Sequence, residues 1–300
     1  MRHTSRLRTL VRSPRVGQTR HYAAAAQGST IQLQNHPAPH SGTIRVLLLD
    51  RPESRNALSK QLVTDLRRHV DEIKAEGGTG GTRALIVASN VDKAFCAGAD
   101  LKERRGMSQA DVGAFLTHLR STFTELANLP VPTISAISST ALGGGLELGL
   151  CTTLRVFGST ALVGLPETRL AIIPGAGGTY RLPPLIGVNR ARDLILTGRR
   201  VTGAEAYFLG LCDRLVEVTS EEAKKEGVAR EKVLDASLQL ARDICEGGPV
   251  ALKAAMQAIE GWPKGEASEN AAYDMILQTE DRVEALRAFA EKRKPAFKGR

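Results

Sequence analysis

The stretch LGGGLELGL, Leu142 to Leu150, sets a carboxylate, Glu147, between two leucines directly after three glycines. An ionised Glu in an apolar run is costly unless it is paired, hydrogen-bonded or protonated, and glycines weaken an ordinary helix. The preceding TISAIS, Thr133 to Ser138, reads as a strand. The chain is therefore expected to leave a strand, turn on glycines and enter a helix whose first N–H groups have no partner. Such a junction requires a sheet with helices packed against it, and a stretch that breaks local rules in this way is a candidate site.

The rest of the chain fits that frame. IRVLLLD (Ile44 to Asp50) reads as a buried strand running into the loop RPESRNALS, after a polar stretch that extends to about Gly42. Apolar residues at Leu62, Val63, Leu66, Val70 and Ile73 predict an amphipathic helix over Lys60 to Lys74. RALIVAS is the next strand and KAFCAGADLKER the loop leaving it. A helix is predicted from Met107 to Leu129, closed by Pro130 and Pro132. LRVFG is another strand, PGAGGTYRL starts a helix, and from Asn189 the chain reads as helical apart from a short strand at Asp213 to Val218. Alternation up to about residue 225 and helices afterwards give an α/β core over residues 29–225 with a helical region over 226–300.

The formal charge of +9 is unevenly placed. Six arginines (Arg2, Arg6, Arg8, Arg12, Arg15, Arg20) lie in the first 20 residues, no acid appears before Asp50, and without those six 35 basic residues face 32 acidic ones. An Arg-rich, acid-free leader containing Ser and Thr but no apolar h-region is expected to be a mitochondrial transit peptide, over residues 1–28. No apolar run reaches the roughly 18 residues of a membrane span. Cys96, Cys151, Cys212 and Cys245 lack CxxC or Cys/His spacing, which argues against disulfides and structural zinc.

Elimination narrows the chemistry. All six histidines lie away from the Gly-rich loops, and surface positions are expected for His69 and His118. SSTALGGG lacks the GxSxG elbow. Cys151 follows an apolar run and is expected to be a buried, inert thiol. GAGGTYR follows a proline rather than a strand, and GGTGG precedes no Lys-Ser/Thr pair, so neither dinucleotide binding nor a phosphate loop is indicated. Carboxylates and backbone amides remain. The turn at Gly144 and the turn in FCAGAD (Phe95 to Asp100) both follow strands, and together they could supply two N–H donors to one carbonyl oxygen. A second carboxylate in an apolar setting, Glu167, follows Leu165 and Pro166.

FCAGADLKER, ALGGGLEL, GLPETRLAIIPGAGGTYRL, TGRRVTGAEAYFLGL and AFAEKRKPAFKG, in that order, resemble the enoyl-CoA hydratase/isomerase, or crotonase, family from about Thr43 to Arg300. AGADLKER, NLPVPTI, ALGGGLEL and RLAIIPG resemble its methylglutaconyl-CoA hydratase branch, which includes a homologue that binds AU-rich RNA. The resemblance implies a spiral of ββα repeats and a C-terminal helical region that assembles trimers, usually paired as hexamers. It places the oxyanion donors on Ala99 and Gly144 and the catalytic glutamates on Glu147 and Glu167. It also implies that Asp100, Leu101 and Lys102 lie along the CoA, and that Phe289 and Lys292 complete the acyl-CoA site of a neighbouring subunit. Two departures from the family pattern, Ser138-Ser139 for an Asp-Gly or Asn-Gly turn and Tyr180 for a Gln, bear on the shape of the acyl pocket.

With the leader, the resemblance implies a hydratase of the mitochondrial matrix that adds water to an enoyl-CoA, with 3-methylglutaconyl-CoA of leucine degradation as the expected substrate. The alternative is a short- or medium-chain substrate of fatty-acid β-oxidation. Catalysis is expected to require no metal or redox cofactor. The helix dipole should lower the pKa of Glu147 and make it the base, while Glu167 keeps its proton and donates it. The two titrate as a pair, so the individual roles stay open. The competing class is AU-rich RNA binding through Lys60, Arg67, Arg68 and Lys74. Thr64 interrupts that stripe and Asp65, Asp71 and Glu72 lie beside it, so weak binding is expected.

Overall fold

The computed structural model describes residues 21–22 and 28–300. The expected transit peptide lies outside the described residues except for His21, Tyr22 and Gly28.

The chain begins with strands β1 (His21–Tyr22), β2 (Ile31–Pro37) and β3 (Thr43–Leu49), then helix α1 (Lys60–Ala75). From β4 onward it repeats one unit: a strand in a large sheet, a three-residue strand in a small sheet, and a helical return. The first unit is β4 (Thr82–Ser89), β5 (Ala94–Cys96) and helices α2 (Leu101–Arg105) and α3 (Gln109–Ala127). The second is β6 (Thr133–Ile137), β7 (Thr140–Leu142) and α4 (Gly144–Gly149). The third is β8 (Leu154–Gly158), β9 (Leu162–Gly164), α5 (Gly178–Ile186) and α6 (Val188–Thr197). Strand β10 (Arg200–Thr202), α7 (Gly203–Leu209) and β11 (Arg214–Val216) close the sheets. Helices α8 (Val228–Cys245), α9 (Pro249–Glu260), α10 (Glu266–Asp274) and α11 (Glu280–Ala290) follow.

The large sheet runs β1-β2-β3-β4-β6-β8-β11 and the small one β10-β9-β7-β5. Pairing is parallel from β3 to β11 and from β5 to β9, as crossover helices require, and antiparallel at β1–β2, β2–β3 and β9–β10. Successive units therefore stack as a spiral with one sheet on each of two sides.

The alternation of side chains explains why β3 and β4 carry apolar residues on both faces. Leu47, Leu49, Leu85 and Val87 point into the core shared with α1 and α3, while Ile44, Val46, Leu48, Ala84, Ile86 and Ala88 meet α8 through Val233, Leu238, Ala241 and Cys245. The first helix beyond residue 225 is thus packed onto the sheet. Side chains Leu62, Val63, Leu66, Val70 and Ile73 of α1 are all buried, as their spacing predicts. His69 is buried as well, not at the surface as expected, because it lies on the same apolar stripe. No described helix is long and apolar enough to cross a membrane.

Candidate active site

The strand-to-glycine junction forms as expected, with one addition: the three-residue strand β7 lies between β6 and the glycines. Gly143 has φ +53°, ψ −126°, a conformation only glycine adopts readily, and it turns the chain into α4. Gly145 is tied to β5 so closely that a Cβ there would come within 2.1 Å of the Cys96 carbonyl oxygen. Opposite, Gly98 has φ +94°, and a Cβ on it would lie 2.7 Å from the Leu142 oxygen and 3.5 Å from the Gly144 nitrogen. The two turns are therefore in backbone contact.

The loop after β3 fixes the second turn. Asn56 is fully buried; its Oδ1 accepts from the Arg51 N–H and its Nδ2 donates to Ser89 Oγ and the Phe95 carbonyl. That anchors Leu58, whose N–H donates to the Gly98 carbonyl at 2.7 Å and whose carbonyl accepts from Asp100 N–H. Ala99 sits between these bonds, bridged to Leu58. Among the described residues, neither the Ala99 nor the Gly144 N–H donates to a protein acceptor.

Glu147, in the first turn of α4, is 3 % exposed. Its Oε1 accepts from the N–H groups of Ala176 and Gly178, each at 2.8 Å. The guanidinium of Arg181 donates to the Ala176 carbonyl at 2.9 Å and so braces the turn that carries both donors. The expectation that the helix dipole leaves Glu147 below its ordinary pKa is overturned. Burial raises it, and the backbone donors of Gly178 and Ala176, Arg181 and the Gly177 backbone offset only part of that. A helix of six residues has too small a dipole to win against such burial.

Glu167 opens a short 3-10 turn, Glu167–Leu170, after Pro166 and is 8 % exposed. Its buried Oε2 has no hydrogen-bond partner. Burial is the chief cause that pushes its pKa up to about 7; its own backbone N–H acts against this and the charge of Glu147 adds to it. A Cβ on Gly143 would sit 3.0 Å from Glu167 Oε1 and one on Gly144 would sit 3.9 Å from Glu147 Oε2. Two adjacent glycines thus separate the two carboxylates.

Both carboxylates, Ala99 and Gly144 line one cavity of about 680 Å³, walled by apolar side chains such as Leu58, Leu116, Leu142 and Ile172. A second, outer cavity of about 890 Å³ meets it along Ala97, Ala99 and Leu101 and holds Arg51, Arg55, Asp100 and Lys102. The carboxylate of Asp100 is already occupied there: it caps α2 by accepting from Glu103 N–H and pairs with Arg51 at 3.3 Å. Phe289 is 85 % exposed on α11 and, like Lys292, lines neither cavity of this chain. Ser138, Ser139 and Tyr180 also lie outside both, so the two departures noted in the sequence do not shape these walls. Cys151 is buried with its thiol pushed up to about 12 by desolvation, which suits an inert side chain. Among the described residues no group of three or more His, Cys, Asp or Glu could hold a metal ion.

Three features escape a reading of the sequence: Asn56, the Ala176–Gly178 donors, and Arg104, which lines the inner cavity from α2. The segment carrying Arg104 reads as a loop, so no helix face can be assigned to it. Asp100 at the cap, followed by Leu101 and Arg104 three residues apart, is the signal that could have found it.

Comparison with known proteins agrees with this geometry. An enoyl-CoA hydratase/isomerase family model matches residues 40–300. An enoyl-CoA isomerase/hydratase of Zymoseptoria tritici is 58 % identical over 99 % of this chain and 98 % of its own. Methylglutaconyl-CoA hydratase 1, mitochondrial, of Pyricularia oryzae is 52 % identical over 100 % of this chain and 96 % of its own. The crystal structure of an enoyl-CoA hydratase from Bacillus anthracis superposes with a TM-score of 0.81 at 39 % identity, covering 90 % of this chain and 100 % of that one. The Bacillus anthracis enzyme shares this fold, and the chain belongs to the enoyl-CoA hydratase/isomerase family.

Proposed function

We propose that this protein is a mitochondrial hydratase that adds water across the α,β double bond of 3-methylglutaconyl-CoA, a step of leucine degradation. The observation that carries the reading is that Glu167, whose buried Oε2 has no partner, lines the same cavity as Glu147 and as Ala99 and Gly144, whose N–H groups donate to no protein acceptor among the described residues. Similarity to mitochondrial methylglutaconyl-CoA hydratases supports the substrate and the compartment.

The thioester carbonyl accepts from Ala99 and Gly144, which hold the negative charge that develops on its oxygen as water attacks Cβ; each such donor is worth roughly 3 to 4 kcal/mol. Glu147 keeps its charge more easily than Glu167, because two backbone N–H groups stabilise the carboxylate, and it takes the proton from water. Glu167, with a pKa near 7 and no donor on Oε2, carries the proton that goes to Cα. The acyl group occupies the inner cavity, and the CoA runs along the outer one past Leu101 and Lys102. Phe289 and Lys292 serve a neighbouring subunit of a trimer or a dimer of trimers.

RNA binding is disfavoured by the partners of its candidate cations. Arg67 is paired with Asp71 at 2.7 Å, Arg68 with Glu72 at 3.1 Å and Lys74 with Glu125 at 2.6 Å. Comparing kcat/KM for 3-methylglutaconyl-CoA and crotonyl-CoA on one purified sample tests the proposal. A preference for the former is expected; a preference for crotonyl-CoA returns the assignment to fatty-acid β-oxidation.

A further inference from the structure

The inner cavity carries more charge than hydration of an apolar acyl chain needs. Besides Glu147 and Glu167, three arginines line it, Arg104, Arg120 and Arg200. Arg120 is committed in part, since its Nε donates to the Gly175 carbonyl at 2.6 Å, and Arg200 is exposed. Arg104 differs from both. It is half-buried, its guanidinium lies over the Phe115 ring at 5.3 Å, and its buried Nε donates to nothing. Among the described residues Arg104 forms no ion pair, although arginines elsewhere, such as Arg51, Arg155 and Arg199, do. Burial lowers its pKa against the pull of Glu147, the mark of a cation short of solvent and of a partner.

Its place on α2 is fixed by helical spacing. Leu101 and Arg104 share one face and both line the inner cavity, whereas Lys102 lines only the outer one. Three residues of helix place Arg104 about 4.5 Å along the axis from Leu101, and Leu101 is two residues from Ala99. Arg104 thus lies about one helical turn beyond Leu101, on the wall that continues from Ala99.

We propose that Arg104 is a specificity-determining residue, receiving the anionic end of the acyl chain, so that the pocket selects enoyl-CoA thioesters whose acyl group ends in a carboxylate. In an acyl group such as 3-methylglutaconyl that carboxylate lies two carbons beyond Cβ. The guanidinium fork suits a carboxylate geometrically, and a neutral acyl chain leaves it half-buried and unpaired, which discriminates against that chain. The assignment rests on the acyl-CoA reading of this cavity.

Binding to the full-length wild type, Arg104→Met and Arg104→Lys should be measured by calorimetry with glutaryl-CoA and butyryl-CoA, which are saturated and cannot be hydrated. Wild type is expected to bind glutaryl-CoA about 10- to 100-fold more tightly than butyryl-CoA. Arg104→Met should abolish that ratio and Arg104→Lys should keep part of it, with thermal melts verifying that each variant is folded. Equal binding of the two ligands by wild type overturns the proposal, and so does a ratio that survives Arg104→Met. A uniform loss for both ligands also overturns it, because Arg104 would then act only through the field at Glu147. A wild type that shows the ratio yet hydrates no enoyl-CoA supports the assignment of Arg104 and sinks the hydratase reading.

Discussion

Glu147 and Glu167 face one cavity with opposite provision: Glu147 Oε1 accepts two backbone N–H groups, from Ala176 and Gly178, whereas the buried Oε2 of Glu167 accepts none. Desolvation raises both carboxyls, but the backbone N–H groups of Gly178 and Ala176 favour the charged form of Glu147, whereas only its own backbone N–H does so for Glu167, so Glu147 ionises more readily than Glu167.

That separation predicts a bell-shaped pH profile. Hydration should rise as Glu147 loses its proton, above the ordinary carboxylate range, and fall as Glu167 loses its own near pH 7. Measuring kcat/KM from pH 5 to 9 checks this; a flat profile through pH 7 removes Glu167 as the acid.

Removing the Glu167 charge should lower activity yet raise stability at high pH. The folded-state pKa of Glu167 is raised, so the native state holds its proton more tightly than the unfolded chain does. Its stabilising contribution is full below the unfolded value, near 4.3, and is lost as pH rises to about 7. Glu167→Gln should therefore raise the melting temperature at pH 8, by an amount equivalent to at most roughly 4 kcal/mol, and leave it nearly unchanged at pH 4. An equal gain at both pH values would show that the effect is not ionisation.

Gly98→Ala tests the contact between the two turns. A methyl there would meet the Leu142 oxygen at 2.7 Å in a backbone conformation that disfavours side chains, forcing the Ala99 amide away from Gly144. A fall in kcat of roughly 10² to 10³, the usual effect of losing one oxyanion donor, is expected. Stability should drop by only about 1 to 3 kcal/mol. Near-normal kcat would mean that the two amides do not act together.

The long elements were legible because their periodicity is long enough to read: α1 shows its stripe over sixteen residues, and β3 and β4 are apolar on both faces. The small sheet was not legible. Its strands β5, β7, β9 and β10 have three residues each, too few for a period-two pattern, and they exist only because the spiral stacks them. β2 was hidden by its polar composition, IQLQNHP. His69 could have been placed inside, since it falls three residues after Leu66 on the apolar face. The N–H groups that serve Glu147 come from residues 29 and 31 positions away, and no local pattern reveals a bond of that kind.

RNA affinity should be weak. With Arg67, Arg68 and Lys74 already paired to carboxylates, few phosphates can be neutralised, and an AU-rich oligonucleotide should bind protein lacking residues 1–28 in the micromolar range or looser, with a shallow salt slope. Titration at two salt concentrations decides it. Nanomolar binding with preference over a scrambled oligonucleotide would add RNA as a second ligand.

The most direct test compares enoyl-CoA hydration by wild type, Glu147→Gln and Glu167→Gln, with binding of a saturated acyl-CoA measured on the same samples. Both substitutions keep size and remove only the capacity to move a proton. Each should lower kcat by about 10² to 10⁴ and leave the binding constant within a few fold. A variant that keeps more than about a tenth of wild-type kcat, below the smallest usual acid–base contribution, would contradict the role given to that glutamate and with it the two-carboxylate account of this cavity.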